Sequence, residues 1–166
     1  MIAFLDVHYQ DDTAFAATVL CDSWDADQPT AEKAVCVGQV AAYESGNFYK
    51  RELPCLLAVI QAIPQPTHII IDGNVWLDDN KPGLGAYLYE ALKKEVPVIG
   101  IAKTAYRGST NAQPVLRGTS QRPLYVTAAG MDPMIAAELV KHMHGPHRIP
   151  TLITKVDQLC RACREL

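Results

Sequence analysis

The sequence predicts an α/β fold on a mixed sheet, with antiparallel first strands followed by parallel strands and helices flanking both. Three stretches carry that prediction. Ile69-Ile70-Ile71-Asp72-Gly73 is a β-branched run ending in a carboxylate and a glycine, as in a strand buried on both faces. Residues 2–8 and 14–20 are apolar runs separated by Gln10-Asp11-Asp12-Thr13, whose turn chemistry predicts an antiparallel hairpin. Residues 84–94 have helical spacing between two buried strands, 67–72 and 96–102, and such a βαβ unit requires parallel strands joined by a right-handed crossover.

Along the chain, the first strand is apolar except for Asp6, and an acid in such a run is expensive unless a metal or a hydrogen-bond network pairs with it. A polar loop over 22–29 leads to a third strand over 31–40, the one whose alanines favour a strand least. After a loop at 43–46, Leu53, Leu56, Leu57, Ile60 and Ile63 recur at helical spacing. Pro54 is tolerated in a first turn, which puts the helix start near Arg51 or Glu52. Glu52 then lies at a helix N-terminus, where the macrodipole favours an anion.

Pro64-Gln65-Pro66 ends that helix and feeds the central strand, which delivers Asp72 at its carboxyl end. Open α/β sheets keep their ligands there, although an aspartate at that point also serves as a turn or capping residue. Residues 74–82 form a long connection, and the helix over 84–94 closes with Lys93 and Lys94 at its negative end. The strand over 96–102 stops at Lys103, which reaches the same sheet edge as Asp72. Residues 106–122 read as an exposed loop or hairpin, 124–127 as a last short strand, and 133–143 and 150–163 as helices.

With 166 residues, 49% hydrophobic and 20% charged, the chain is expected to form one domain over 1–166. The longest apolar runs are far short of a bilayer span and the first residues lack the form of a signal peptide, so a soluble cytoplasmic protein is expected. Five cysteines, an odd number, suit reduced core thiols better than a disulfide framework. Cys160-Arg161-Ala162-Cys163 follows His142, His144 and His147, which also allows a zinc site, though cysteines three apart on a terminal helix more often face the core. Charge is lopsided: residues 1–92 hold 13 acids and 4 bases, whereas 93–148 hold 3 acids and 8 bases. An acidic half suited to a cation thus adjoins a basic stretch suited to phosphates.

Asp6, Glu52, Asp72 and Lys103 are therefore expected at one place. Clustered carboxylates repel unless a hard cation neutralises them, and oxygen ligands of this kind suit Mg²⁺ or Mn²⁺. Phosphodiester hydrolysis uses such sites directly, with a lysine to orient the scissile phosphate.

The segments Leu5-Asp6-Val7-His8-Tyr9, Phe48-Tyr49-Lys50-Arg51-Glu52-Leu53-Pro54, Ile71-Asp72-Gly73, Gly83-Leu84-Gly85 and Val98-Ile99-Gly100-Ile101-Ala102-Lys103 together resemble the endonuclease V family. The resemblance extends more weakly through Pro123-Leu124-Tyr125-Val126 to Arg148-Ile149-Pro150. It implies an RNase H-like fold and a metal-dependent endonuclease acting on DNA or RNA, directed at deoxyinosine or inosine. It further implies Asp6, Glu52 and Asp72 as metal-binding carboxylates, Lys103 as the active-site lysine, and Tyr43, Gly73 and Gly83 as substrate-binding residues. Tyr43 stands where the family carries a strand-opening wedge, but Glu44-Ser45 replaces the apolar residue and proline beside it. Thr127-Ala128-Ala129-Gly130-Met131 lacks the family's histidine after the last strand, and Asp78, Asp79 and Asn80 stand where basic residues are usual. These departures leave open a second reading, a nucleic-acid-binding relative with little or no turnover.

Overall fold

The protein is described here by a computed structural model covering residues 1–163. A seven-stranded sheet organises it. In chain order the strands are β1 (Ile2–Gln10), β2 (Thr13–Cys21), β3 (Ala31–Gln39), β4 (His68–Asp72), β5 (Trp76–Asp78), β6 (Lys81–Pro82), β7 (Val98–Ala102), β8 (Gln113–Val115) and β9 (Leu124–Ala129). The helices are α1 (Phe48–Gln61), α2 (Leu84–Ala91), α3 (Pro133–Lys141) and α4 (Thr151–Ala162). The sheet runs β3-β2-β1-β4-β7-β9-β8, and β5-β6 form a small separate ribbon. β1 and β2 pair antiparallel, as do β2 and β3, while β1, β4 and β7 run parallel, and β9 returns antiparallel to β7. No described helix is long and apolar enough to cross a membrane.

Alternation along the central strands divides the core into two layers. Ile2, Phe4, Ile70, Ile99 and Ile101 pack with Ala136, Val140, Leu152, Ile153 and Val156 of α3 and α4. Ala3, Leu5, Ile69, Ile71 and Val98 pack with Cys55, Leu56 and Val59 of α1 and with Leu84, Ala86 and Leu88 of α2. Because both faces are covered, β7 is apolar throughout and β4 is apolar between His68 and Asp72.

Several boundaries differ from those expected. α1 begins at Phe48, a turn before Arg51, so Pro54 lies inside the helix. The hydrogen bond its missing N–H forgoes is to Lys50, and the early turn is held instead by Tyr49, whose ring stacks on Tyr87 of α2 with centroids 3.7 Å apart. α2 ends at Ala91, not at Lys94. Lys93 and Lys94 take φ of 55° and 62°, and their N–H groups donate to Glu90 and Tyr89 carbonyls, a left-handed stop made without glycine. The segment over 106–122, expected to be exposed, contributes β8 as an edge strand and Arg117, which is only 5% exposed.

Cys160 is buried between α4 and the hairpin, its thiol donating to the carbonyls of Asp6 (3.2 Å) and Phe15 (3.0 Å). Cys21, Cys36, Cys55, Cys160 and Cys163 are all free.

Gly100 shows how tightly the middle of the sheet is built. The chain leaving β4 folds back over it, and a Cβ at 100 would lie 2.5 Å from the Gly73 carbonyl oxygen and 2.8 Å from the Val75 nitrogen. Both are backbone atoms that cannot rotate away. Gly100→Ala is expected to destabilise the fold by about 1–3 kcal/mol, as overpacking does. Thermal unfolding should then fall by roughly 2–4 °C for each kcal/mol in a chain of this size.

Candidate active site

Strand phase places the first polar groups. Asp6 continues the series Ile2, Phe4; Asp72 follows Ile70; Lys103 follows Ile99 and Ile101. Leu5 pairs with Ile71 and Asp72 with Ile101, so the three side chains emerge together at the carboxyl end of the parallel strands, on the α4 side. Lys103 Nζ donates to Asp72 Oδ2 at 2.6 Å, with both groups partly open to solvent.

Glu52 arrives from the other side. It precedes Cys55 and Leu56 by three and four residues on α1, and so shares the helix face that packs in the second core layer. It is 7% exposed. Burial pushes its carboxyl up to about 8, with the negative charges of Asp6 and Asp72 adding to the shift and Arg51 opposing it. Burial likewise raises Asp6 to about 7; Asp72 and Asp157 add to this, against a backbone hydrogen bond at Val7 and the charge of Lys103. Both shifts favour the protonated form relative to an ordinary carboxyl, and a bound cation would oppose them.

Among the described residues, no three His, Cys, Asp or Glu side chains stand close enough together to hold a metal ion as placed. Glu52 enters from the opposite layer, and Asp72 is engaged by Lys103. The donor chemistry nevertheless fits a hard dication: Asp6 and Glu52 are desolvated oxygen donors that repel each other, and neither forms an ion pair with a described cation.

Asp157 on α4 joins Asp6, Asp72 and Lys103 along one narrow cleft. Its carboxylate accepts from Arg161 Nε through both oxygens at 3.0 Å. The sequence carried a signal for it: Ile153, Val156 and Cys160 form the buried stripe of α4, and Asp157 falls on that stripe by helical spacing. An acid inside an apolar stripe needs a reason, just as Asp6 does in β1.

On the α1/α2 side, a cavity of about 310 Å³ opens beside Asp72. Gly73 and Gly83 line it, together with Tyr49 and Tyr87. Gly83 is required there, because a Cβ would meet the Asn74 carbonyl oxygen at 2.6 Å. Tyr43 does not line the cavity and is 64% exposed on the loop after β3. Tyr49 and Tyr87 were not singled out in the sequence, since their proximity depends on how α1 packs against α2.

Comparison with known proteins bears on the family and the fold. The endonuclease V family profile matches residues 1–131. Endonuclease V of Streptomyces avermitilis is 29% identical over 185 aligned positions, covering 95% of this chain and 77% of its own length. Its crystal structure superposes with a TM-score of 0.81 at 27% identity, covering 99% of this chain and 81% of that one. Endonuclease V of Ciona intestinalis, solved with DNA containing an inosine followed by a ribo-adenosine, gives a TM-score of 0.79 at 18% identity, covering 99% and 85%. The sheet order, mixed strand directions and flanking helices are those of the RNase H-like fold that these structures share. A relative without turnover is not the reading these matches favour. The chain belongs to the endonuclease V family of nucleic-acid endonucleases.

Proposed function

We propose that this chain hydrolyses phosphodiester bonds in DNA or RNA with Mg²⁺ or Mn²⁺, and that Asp6, Glu52 and Asp72 hold the metal. The observation that supports the reading is the pair of desolvated carboxyls without ion-pair partners among the described residues, Asp6 at the strand ends and Glu52 on α1, beside the Lys103–Asp72 pair. Asp6, Glu52 and Asp72 would hold the divalent ion, whose chemistry when bound would be to activate a water and offset negative charge on the scissile phosphate. Lys103 contributes a positive charge toward the same phosphate. In the reaction, water oxygen bonds to phosphorus, the bond to the leaving oxygen breaks, and a proton ends on that oxygen.

The cavity beside Asp72 is the place for a base displaced from the strand. Its volume of about 310 Å³ falls in the range of small-ligand sites, and Tyr49 and Tyr87 give it an aromatic wall. The inosine in the Ciona complex makes hypoxanthine the first base to test. Read this way, residues 1–166 work as a single endonuclease V-like domain.

Labelled single- and double-stranded DNA and RNA, with and without inosine, should be cleaved only when Mg²⁺ or Mn²⁺ is present. Asp72→Asn keeps the shape but removes the charge, and should lower cleavage by orders of magnitude while leaving circular dichroism unchanged. Full activity in that variant would remove Asp72 from the site. Because Tyr43 is exposed and Glu44-Ser45 does not stiffen its loop, opening a duplex, which requires a few kcal/mol per base, is weakly supported. Single-stranded or frayed inosine substrates should therefore be cut faster than the same site within intact duplex.

The raised carboxyls also predict a pH dependence of stability. Between the unfolded values near 4 and the folded values of about 7 and 8, the folded state binds more protons, so stability falls as pH rises through that window. Melting in EDTA should be higher at pH 5 than at pH 8, and Asp6→Asn with Glu52→Gln should flatten the difference. Added Mg²⁺ or Mn²⁺ should stabilise the protein most at the alkaline end, where the carboxyls are ionised. An EDTA profile that rises toward pH 8 would contradict the placement of these two groups.

A further inference from the structure

We infer that Arg148 is a positioning residue for Lys103, acting through the main chain; as a statement about catalysis it rests on the role proposed for Lys103. Arg148 lies between α3 and α4, outside the segments that hold the carboxylates. Its Nη2 donates to the carbonyls of Lys103 and, at 2.9 Å, Pro123, and its Nε donates to the carbonyl of Arg122 at 3.0 Å. All three are main-chain acceptors; among the described residues no carboxylate pairs with this guanidinium.

The location of those carbonyls gives the interaction its meaning. The β7–β9 ladder ends with Ala102 opposite Tyr125, so Lys103 has left the sheet, and residues 122 and 123 have yet to enter it. The guanidinium replaces the missing ladder by tying the end of one strand to the start of the other. Arg148 is itself anchored: buried Arg117 donates through Nη1 to the Arg148 carbonyl at 3.3 Å, and through Nη2 to those of Met143 (2.5 Å) and Gly145 (3.2 Å). Two guanidiniums in series thus connect the turn at 143–148 to the backbone of Lys103.

A lysine side chain has four methylenes and many rotamers, and a solvent-open ion pair alone fixes it weakly. Lys103 is 46% exposed, yet its Nζ stands 2.6 Å from Asp72. With its main chain tied down, fewer arrangements compete with that one.

The test compares wild type, Arg148→Ala, Arg148→Lys, Lys103→Ala and the double variant Arg148→Ala/Lys103→Ala. Circular dichroism and melting establish that each is folded. On an inosine-containing single-stranded oligonucleotide with Mg²⁺, Arg148→Ala should lower kcat by about 10- to 100-fold, the scale expected for misplacing a catalytic group, and leave KM within about twofold. In the Lys103→Ala background it should add no further loss, because the effect runs through Lys103. Arg148→Lys keeps the charge but not the fork and should fall between wild type and Arg148→Ala. A loss that multiplies in the double variant would overturn the proposal, as would a change confined to KM.

A second readout needs no cleavage. In ¹H–¹⁵N spectra of the lysine ammonium groups, the signal that disappears in Lys103→Ala should be protected in wild type and exchange-broadened in Arg148→Ala. Persistence of that signal in Arg148→Ala would refute the positioning role. If no oligonucleotide is cleaved, the nuclease reading fails while this spectrum still decides whether Arg148 orders Lys103.

Discussion

Holding two carboxyl groups out of water with no ion-pair partner among the described residues is the constraint on which this structure turns. Asp6 sits in a strand whose neighbours form the core, and Glu52 lies on the packed face of a helix. A desolvated carboxyl is tolerated only when the surrounding framework is strong enough to keep it there. That framework is the doubly covered sheet, whose apolar runs over residues 2–5, 69–71 and 98–102 lead directly into Asp6, Asp72 and Lys103. Strand phase then does the positioning, since side chains spaced by two must share a face.

The same rule explains why part of the site could be read from sequence. Asp6, Asp72 and Lys103 each interrupt or end an apolar run, and a period of two relates them to residues whose burial is certain. The hairpin, the parallel pair β4–β7 and both core layers follow from the same pattern. Other features depend on contacts between distant segments. The early start of α1 rests on Tyr49 meeting Tyr87, and the left-handed turn at Lys93 and Lys94 gives no compositional sign, because glycine is the residue expected there. Arg117 lies in a polar stretch that reads as exposed, yet it is buried because four main-chain carbonyls converge on it. Asp157 was legible in principle from its place on the α4 stripe, but it resembles an ordinary surface acid of an Asp–Arg helical pair until the helix is docked.

Arg117 and Arg148 divide the work of cations from that of the acids. Both are bonded through main-chain carbonyls, which lets a positive group fix loop geometry without neutralising Asp6 or Glu52. Burial pulls the Arg117 guanidinium below its ordinary value, but an arginine remains charged far above neutral pH, so this bracing does not titrate with the carboxyls it supports.

The narrow cleft on the α4 side and the larger cavity on the α1/α2 side have one lining residue in common, Asp72. Apart from the stretch 70–74, the walls come from different segments: Asp6, Lys103 and Asp157 on one side, Gly83, Tyr49 and Tyr87 on the other. A sheet edge therefore works as a partition with a single shared post. Sequence drift in the loop after β3 or along α2 can reshape one compartment while the other keeps its walls, so the two can change shape independently.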